Sequence, residues 1–293
     1  MELTGNMVAL VTPFRNGSLD RDAFAALIER VIAGGASAVV PCGTTGESPT
    51  LSHTEHDEVV RLAVETVDHR VHVIAGAGSN STSEAVRLTK AAAENGADAV
   101  LSVNPYYNKP TQAGMIEHFR HVADASSLPV VLYDIPGRCG VGLDPATLVT
   151  LAEHENIRAI KVATGRAEDV SFVTANTDLA ALSGDDALTL PMMSLGARGV
   201  ISVISNLLPA RMTRLVHSAL EGDFLAARRE HDQLLPLMKT MFVESNPAPM
   251  KAALARIGLI MNELRLPLCP ITAASNSQLE KDLAPFLSEL IPG

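Results

Sequence analysis

The sequence predicts a (β/α)8 barrel with a C-terminal helical extension, and two observations lead to this fold class. About eight short apolar runs alternate with longer amphipathic segments, and unbroken apolar runs are typical of parallel strands buried on both faces. Gly-Ala pairs at 35–36, 96–97 and 196–197 stand shortly before three of the runs, where a glycine would end a helix. Eight strand–helix units are the number at which a parallel sheet closes into a barrel.

The predicted elements follow one another along the first two thirds of the chain. Ser52 and Glu55, and likewise Ser81 and Glu84, have the spacing of a capping box, so each serine is predicted to cap the helix that follows it. Strands are expected at 7–11, 38–41, 71–75, 99–103, 130–133, 159–162, 180–183 and 199–203, and helices at 20–33, 52–67, 81–94 and 111–125.

After residue 203 the pattern changes to helices without intervening strands, expected at 207–221, 224–241 and 249–260. No linker rich in Pro, Gly or Ser sets this region apart. We therefore expect a catalytic barrel at 1–206 and a helical region at 207–293 that packs on it. An open doubly wound sheet is the main alternative, but residues 76–78 lack the third glycine of a dinucleotide-binding fingerprint because position 81 is serine.

Composition restricts the classes of partner. The net charge of −10 argues against a large surface for nucleic acid or anionic membrane. The three cysteines are far apart, which argues against a disulfide framework or a thiolate metal site, and the histidines lack the spacing of metal ligands. Neither a signal peptide nor an apolar span of about 18 residues is visible. We expect a cytoplasmic protein without metal or cofactor.

Barrel enzymes carry their reacting groups at the carboxyl ends of the strands and in the loops that follow. In this sequence those positions hold several polar side chains. They are Thr44, Thr45 and Glu47 after the second strand, residues 104–109 after the fourth, Tyr133 and Arg138 after the fifth, Lys161 in the sixth, and Gly184, Asp185 and Asp186 after the seventh.

Lys161 interrupts an apolar run, AIKVA, that would otherwise be buried throughout. Burial disfavours the ammonium form of a lysine, and the neutral amine can attack a carbonyl carbon. A lysine at a strand end can also extend to solvent or pair with a carboxylate. The strand pattern alone leaves both interpretations of Lys161 open.

The neighbouring positions favour a chemical role for Lys161. Tyr133 offers a hydroxyl acid or base at the end of the adjacent strand. Arg138 offers a planar fork suited to a carboxylate, although a surface ion pair would use the same side chain. The turn at 43–47, GTTGE, has backbone N–H groups and hydroxyls that could hold a second carboxylate.

These motifs resemble a known group of enzymes along essentially the whole chain. The GTTGE turn, YDIPGR at 133–138 and Ile160-Lys161 resemble the pyruvate-dependent class I aldolase and lyase superfamily, which includes N-acetylneuraminate lyase. Within it, NPYYNKP at 104–110 together with Arg138 is similar to the dihydrodipicolinate synthase family. The resemblance implies a (β/α)8 barrel that needs no cofactor.

The resemblance also implies the reaction and a role for each residue of the site. Lys161 would form a Schiff base with pyruvate, and the enamine would add to L-aspartate 4-semialdehyde in lysine (diaminopimelate) biosynthesis. Tyr133, Thr44 and Tyr107 would relay protons, with Tyr107 reaching the neighbouring subunit's site in a homotetramer that is a dimer of dimers. The substrates would be held by Thr45 and Arg138, and Gly184 and Ile201 would line the pocket.

Relatives inhibited by L-lysine bind this end product at the dimer interface, and the resemblance carries such a site to six positions. Glu84 would hold the ammonium group and Tyr106 the carboxylate, whereas Pro49 departs from the alanine common in inhibited relatives. A capping role for Glu84 and a solvent-facing role for the histidines are the simpler interpretation. The six positions are Ser48, His53, His56, Asn80, Glu84 and Tyr106.

Two other functions remain in competition. A sister aldolase that cleaves a sugar-derived 2-oxo acid would use the same lysine, but a polyhydroxylated substrate calls for polar residues rather than a cation at Arg138. A catalytically silent barrel that only binds a metabolite is disfavoured by the presence of Lys161, Tyr133 and Thr44 together.

Overall fold

A closed barrel of eight parallel strands forms the centre of the molecule in the computed structural model, which describes residues 1–290. The (β/α)8 fold is confirmed, and each strand ends within about two residues of its predicted bounds, as expected of predicted element ends. The strands are β1 Gly5–Ala9, β2 Ala38–Val40, β3 His72–Gly76, β4 Ala99–Val103, β5 Val130–Asp134, β6 Ile157–Val162, β7 Ala180–Ser183 and β8 Gly199–Ser202.

Strand order follows the chain around the barrel, and β1 closes it by pairing with both β8 and β2. Alternate strand residues face an apolar interior, while the others pack against the surrounding helices. The register between β5 and β6 sets Tyr133 beside Lys161, so both side chains point into the same end of the barrel.

Helices lie outside the strands and connect them. The glycines at 35, 96 and 196 have φ of +83°, +84° and +103°, which confirms that each of the three Gly-Ala pairs ends a helix with a left-handed residue. The helices up to β8 are α1 Arg21–Ala33, α2 His53–Val67, α3 Thr82–Glu94, α4 Gln112–Asp124, α5 Pro136–Cys139, α6 Pro145–Ala152, α7 Glu168–Asn176 and α8 Thr189–Ser194.

The two predicted capping boxes have different outcomes. At the start of α2, Ser52 accepts a hydrogen bond from Glu55 N, and the Glu55 carboxylate accepts one from Ser52 N at 2.9 Å. At the start of α3 the prediction is wrong, since Ser81 forms no side-chain cap. The reason is that the Glu84 carboxylate is bound elsewhere, by the hydroxyl of Ser79.

The C-terminal region consists of helices, as predicted. The first, α9, packs against β1, whereas α11 ends before the predicted residue 260 because Gly258 follows it at φ +77°. The division of the chain after residue 206 stays a prediction, and residues 291–293 lie outside the described part. The helices are α9 Pro209–Leu220, α10 Phe224–Thr240, α11 Ala248–Arg256, α12 Ala273–Leu283 and α13 Leu287–Leu290.

Candidate active site

Lys161 lies near the carboxyl end of β6 with its side chain inside the barrel. The residue is 6% exposed, and Ala159 and Ala163 on the same side of the strand belong to the apolar interior. Its Nζ lies 4.1 Å from the centroid of the Tyr133 ring, and within residues 1–290 it forms no ion pair and no hydrogen bond. An amine that no carboxylate holds is available to attack a carbonyl carbon.

Gly184 follows β7 and leaves space for the lysine. A Cβ at this position would lie 3.1 Å from Lys161 Cε and 2.7 Å from Ala163 Cβ, so a larger residue would displace the lysine side chain. Ile201 of β8 is fully buried in the same interior layer. The structure thus places both predicted pocket residues around Lys161.

A cavity of about 180 Å³ reaches into the mouth of the barrel. Tyr133 joins it to the lysine, since its ring lines the cavity and also contacts Nζ. Thr44 and Arg138 line the same cavity. Elements that are distant in sequence therefore bring three predicted site residues to one space, and Lys161 reaches that space through its contact with Tyr133.

Two cysteines, Cys42 and Cys139, also line this cavity and were missed by the sequence reasoning. Burial raises the pKa of the Cys139 thiol to about 11, and burial raises the pKa of the Cys42 thiol as well. Both thiols are therefore neutral at physiological pH and are not nucleophiles. Their positions just after β2 and β5 were the signal that could have placed them here.

The turn at 43–47 presents free backbone donors. Within residues 1–290 neither Thr44 N–H nor Thr45 N–H donates a hydrogen bond, and consecutive free amides of this kind suit an anion such as a carboxylate. The Thr45 side chain is buried, and its hydroxyl accepts a hydrogen bond from Asn246 Nδ2 at 2.9 Å. The predicted carboxylate-binding turn thus has two free amides, and the Thr45 side chain beside them is held by Asn246.

Arg138 lies in the short helix α5 and is exposed at the edge of the cavity. Its Nη2 donates to the carbonyl oxygen of Asn246 at 3.5 Å, a long contact with a neutral group. The surface ion pair considered from the sequence is not formed within the described chain. A guanidinium without a carboxylate partner is free to bind the carboxylate of a substrate.

Tyr107 does not join its own site. The residue is 88% exposed and has a left-handed backbone with φ +72°, which is uncommon for a bulky residue and clusters at functional positions. Its neighbour Tyr106 lines the cavity instead. The structure therefore leaves the Tyr107 hydroxyl free for contacts beyond this copy of the chain.

The six residues of the predicted lysine site fall into four groups. His53 Nε2 lies 2.8 Å from Glu84 Oε1 on the surface, and Ser48 lines the cavity with Tyr106. His56 is buried, and its Nε2 lies 2.8 Å from the carbonyl oxygen of Gly76. Asn80 accepts a hydrogen bond from Asn108 through its backbone oxygen. Their role in ligand binding stays a prediction.

Sequence reasoning also missed a second buried lysine. Lys251 of α11 is fully buried and forms an ion pair with Glu47 of the turn. Its signal was present, because Lys251 stands in the apolar run PMKAALA just as Lys161 stands in AIKVA. Within residues 1–290 no three His, Cys, Asp or Glu side chains form a metal-binding group, and no helix is long and apolar enough to span a membrane.

The fold and the site define a class of protein. The barrel has an unpaired lysine near the end of one strand, a tyrosine on the adjacent strand and free amides at its mouth. This is the arrangement of a lysine-dependent aldolase or lyase. The model of the dihydrodipicolinate synthetase family matches residues 2–285. The chain belongs to this family, and it is an enzyme.

Individual relatives agree along nearly the whole chain. The 4-hydroxy-tetrahydrodipicolinate synthase of Syntrophobacter fumaroxidans is 50% identical over 285 residues, which cover 96% of this chain and 98% of the relative. The chloride-inhibited dihydrodipicolinate synthase of Acinetobacter baumannii, in complex with pyruvate, has a TM-score of 0.96 at 41% identity, covering 99% of this chain and 100% of the other. The enzyme of Cyanidioschyzon merolae with lysine bound has a TM-score of 0.93 at 42% identity, covering 96% and 97%.

Proposed function

We propose that this enzyme condenses pyruvate with L-aspartate 4-semialdehyde to 4-hydroxy-tetrahydrodipicolinate, a step of lysine biosynthesis through diaminopimelate, with Lys161 as the Schiff-base lysine. The observation that carries the proposal is the buried Lys161 amine, which contacts Tyr133 and has no carboxylate partner in residues 1–290. The substrates are supported by the name of the relatives and by the pyruvate in a similar structure.

The first half of the reaction is imine formation. Lys161 Nζ forms a bond to the carbonyl carbon of pyruvate, and the carbonyl oxygen leaves as water. The free N–H groups of Thr44 and Thr45 hold the pyruvate carboxylate. Loss of a methyl proton then gives an enamine, because the protonated imine accepts the electron pair of the broken C–H bond.

The second half joins the two substrates and releases the lysine. The enamine carbon bonds to the aldehyde carbon of the semialdehyde, whose oxygen takes a proton and becomes a hydroxyl. Arg138 holds the semialdehyde carboxylate at the cavity edge. The amino group of the adduct then attacks the imine carbon, and Lys161 leaves as a free amine when the ring closes. Gly184 and Ile201 line the space beside the lysine.

Tyr133, Thr44 and Tyr107 form the proposed proton relay. Hydroxyl groups can pass protons at each stage without adding a buried charge. Tyr107 is 88% exposed, so its hydroxyl serves the site of a neighbouring copy, as expected for a homotetramer built from two dimers. A cytoplasmic location is compatible with the three free cysteines.

Borohydride reduction in the presence of pyruvate tests the lysine. We expect a stable adduct on the peptide that contains Lys161 and none in the Lys161→Met variant, because reduction converts the imine to a secondary amine. An adduct on another lysine, or none at all, would contradict the proposal. A coupled assay with L-aspartate 4-semialdehyde then separates this reaction from a sister aldolase that acts on a sugar-derived 2-oxo acid.

We also propose that L-lysine inhibits the enzyme by binding at a site composed of the buried His56 and five residues that are at least partly exposed, Ser48, His53, Asn80, Glu84 and Tyr106. The proposal is supported by the relative with lysine bound. The position of the Glu84 carboxylate also supports it, since His53 and Ser79 hold this group at the surface. Kinetic titration with lysine should show inhibition, and Glu84→Gln should weaken it by about tenfold, since a charge-assisted contact is lost. A flat titration into the millimolar range would refute this proposal.

A further inference from the structure

Lys251 is one end of a fully buried ion pair. Its side chain and that of Glu47 are both 0% exposed, and Nζ also donates to the backbone oxygen of Glu263 at 2.9 Å. The ammonium lies 4.2 Å from the centroid of the buried Phe14 ring. Burial lowers the pKa of the Lys251 ammonium, and the Glu47 carboxylate opposes that change. The Glu47 carboxylate thus offsets part of the cost of burying the Lys251 ammonium.

Glu47 is placed where it can control the turn that carries Thr44 and Thr45. Its backbone is left-handed at φ +54°, and its N–H donates to the Thr44 oxygen at 3.1 Å. The second carboxylate oxygen accepts a hydrogen bond from Arg265 N at 3.0 Å. Because both carboxylate oxygens of Glu47 are bound, its side chain and the backbone that carries it are held in one position. Glu47 is also the last residue of the turn.

Two further contacts come from the same part of the chain. Asn246, which is 5% exposed, donates to the Thr45 hydroxyl at 2.9 Å. The Arg265 guanidinium donates to the Thr50 oxygen at 2.9 Å. The segment from 246 to 265 thus holds the turn at its middle and at its end, from about 200 residues away in sequence, a separation that only the folded chain spans.

We propose that the C-terminal region positions the turn that binds pyruvate, with Lys251 acting through Glu47 and Asn246 acting through Thr45. This inference rests on the proposed function. A buried ion pair adds little stability relative to apolar residues of the same size, whereas a catalytic or binding group must be held within about 0.5 Å of its productive position. The pair therefore serves the geometry of the Thr44 and Thr45 amides.

The decisive variant is Glu47→Gln combined with Lys251→Met, which removes both charges and keeps both shapes. Because no charge is stranded, the double variant should melt within about 5 °C of wild type. Its KM for pyruvate should rise by about tenfold to a hundredfold, since a misplaced binding group loses affinity steeply with distance. The KM for the semialdehyde, which Arg138 binds, should change by less than about twofold.

Two matched variants separate position from stability. Glu47→Gln alone leaves the Lys251 ammonium without its counter-charge and should lower Tm by about 10 °C. Arg256→Gln removes an ion pair with Glu280 at the surface of the same C-terminal region, and its KM for pyruvate should stay within about twofold of wild type. Glu47→Gln thus measures how an unpaired buried charge affects stability. Arg256→Gln measures whether the loss of any ion pair in the C-terminal region affects the pyruvate KM.

An unchanged pyruvate KM in the double variant overturns the inference. A pyruvate KM that follows Tm across the variants also overturns it, because the change would then reflect lost stability and not a displaced turn. If the double variant does not fold, Asn246→Ala is measured instead, because it removes the bond to Thr45 without stranding a charge. An unchanged pyruvate KM in that variant overturns the inference equally. Trapping of pyruvate on wild-type Lys161 is measured alongside, so that failure of the proposed function is recognised by the absence of that adduct.

Discussion

At the scale of single residues, two buried lysines show how a partner decides chemistry. Lys161 and Lys251 interrupt similar apolar runs, and both are buried. Lys251 is held by the Glu47 carboxylate, and a held ammonium has no lone pair to offer. Lys161 instead contacts the ring of Tyr133, which lines the cavity. The same residue type is therefore a structural cation in one place and the proposed nucleophile in the other.

Gly184 supports a prediction about the lysine. In Gly184→Ala the new Cβ would lie 2.7 Å from Ala163 Cβ, which forces a local shift, and 3.1 Å from Lys161 Cε, which crowds the lysine side chain. We expect kcat to fall by about a hundredfold while the circular dichroism spectrum stays unchanged. As a control, Gly114→Ala in α4 adds a Cβ that lies no closer than 3.4 Å to its nearest neighbour, Pro110 Cβ. Wild-type kcat in Gly184→Ala would show that the lysine is not confined as described.

The buried carboxyl group of Asp134 makes the stability of the fold depend on pH. The carboxyl group is 7% exposed, and its Oδ1 accepts hydrogen bonds from Asn104 Nδ2 at 2.6 Å and Leu143 N at 3.3 Å. Burial raises the pKa of Asp134 to about 6. The folded state thus favours the protonated acid, so the stabilisation is complete below the ordinary pKa of 3.8 and is lost as the pH rises through about 6.

Asp134→Asn should remove this pH dependence. Relative to wild type, the variant should gain about 2 kcal/mol of unfolding free energy between pH 4 and pH 8, because it carries no charge to bury. Urea unfolding at the two pH values measures the difference. As a matched control, Asp178→Asn replaces an exposed carboxyl group and should change the unfolding free energy equally at pH 4 and pH 8. A gain from Asp134→Asn that is equal at pH 4 and pH 8 would exclude this explanation.

At the scale of elements, apolar periodicity and turn residues predicted the strands and helix ends correctly, whereas residue spacing was a less reliable guide to helix-capping hydrogen bonds. All eight strands were predicted because a parallel strand buried on both faces is apolar throughout. The Ser81–Glu84 spacing misled because a carboxylate takes the strongest donors available to it. In the folded chain those donors are Ser79 and His53, and His53 belongs to another helix.

Ser52→Ala and Ser81→Ala form a matched test of the two helix starts. Ser52 completes a capping box on α2, so its loss should cost about 1 kcal/mol of unfolding free energy. Ser81 forms no cap, and its hydroxyl contacts Ser83 Oγ at 3.0 Å, so its loss should cost less than about 0.5 kcal/mol. Denaturant midpoints measured side by side check both. Equal losses would contradict the assignment of the cap.

At the scale of the whole molecule, closure of the barrel and contacts beyond it complete the site. Parallel pairing sets Tyr133 beside Lys161, and Lys251 and Asn246 of the C-terminal region contact the turn at 43–47. Tyr107, by contrast, does not line the cavity of its own chain and is 88% exposed. One folded chain therefore supplies the lysine and the proposed carboxylate sites, while we propose that the last hydroxyl of the relay comes from a neighbouring copy.

Mixing subunits tests the contribution of Tyr107 to a neighbouring site. Lys161→Met and Tyr107→Phe should each be nearly inactive alone. Unfolded together and refolded, they should regain about a quarter of wild-type activity, since random pairing gives mixed dimers half of the time and each has one complete site. Refolding each variant alone is the control. No recovery in the mixture, or full activity in a verified monomer, would show that Tyr107 acts within its own chain.

The sequence by itself determined the barrel, the family resemblance and the candidate lysine, because strand burial and loop motifs are properties of neighbouring residues. It left open whether Lys161 carried a partner, and it did not find the Lys251–Glu47 pair or the two cavity cysteines. Only the tertiary structure decided these points. The physical reason is that the reactivity of a buried group depends on which charges and donors lie within a few ångströms, and here those groups come from strands and helices far apart in the chain.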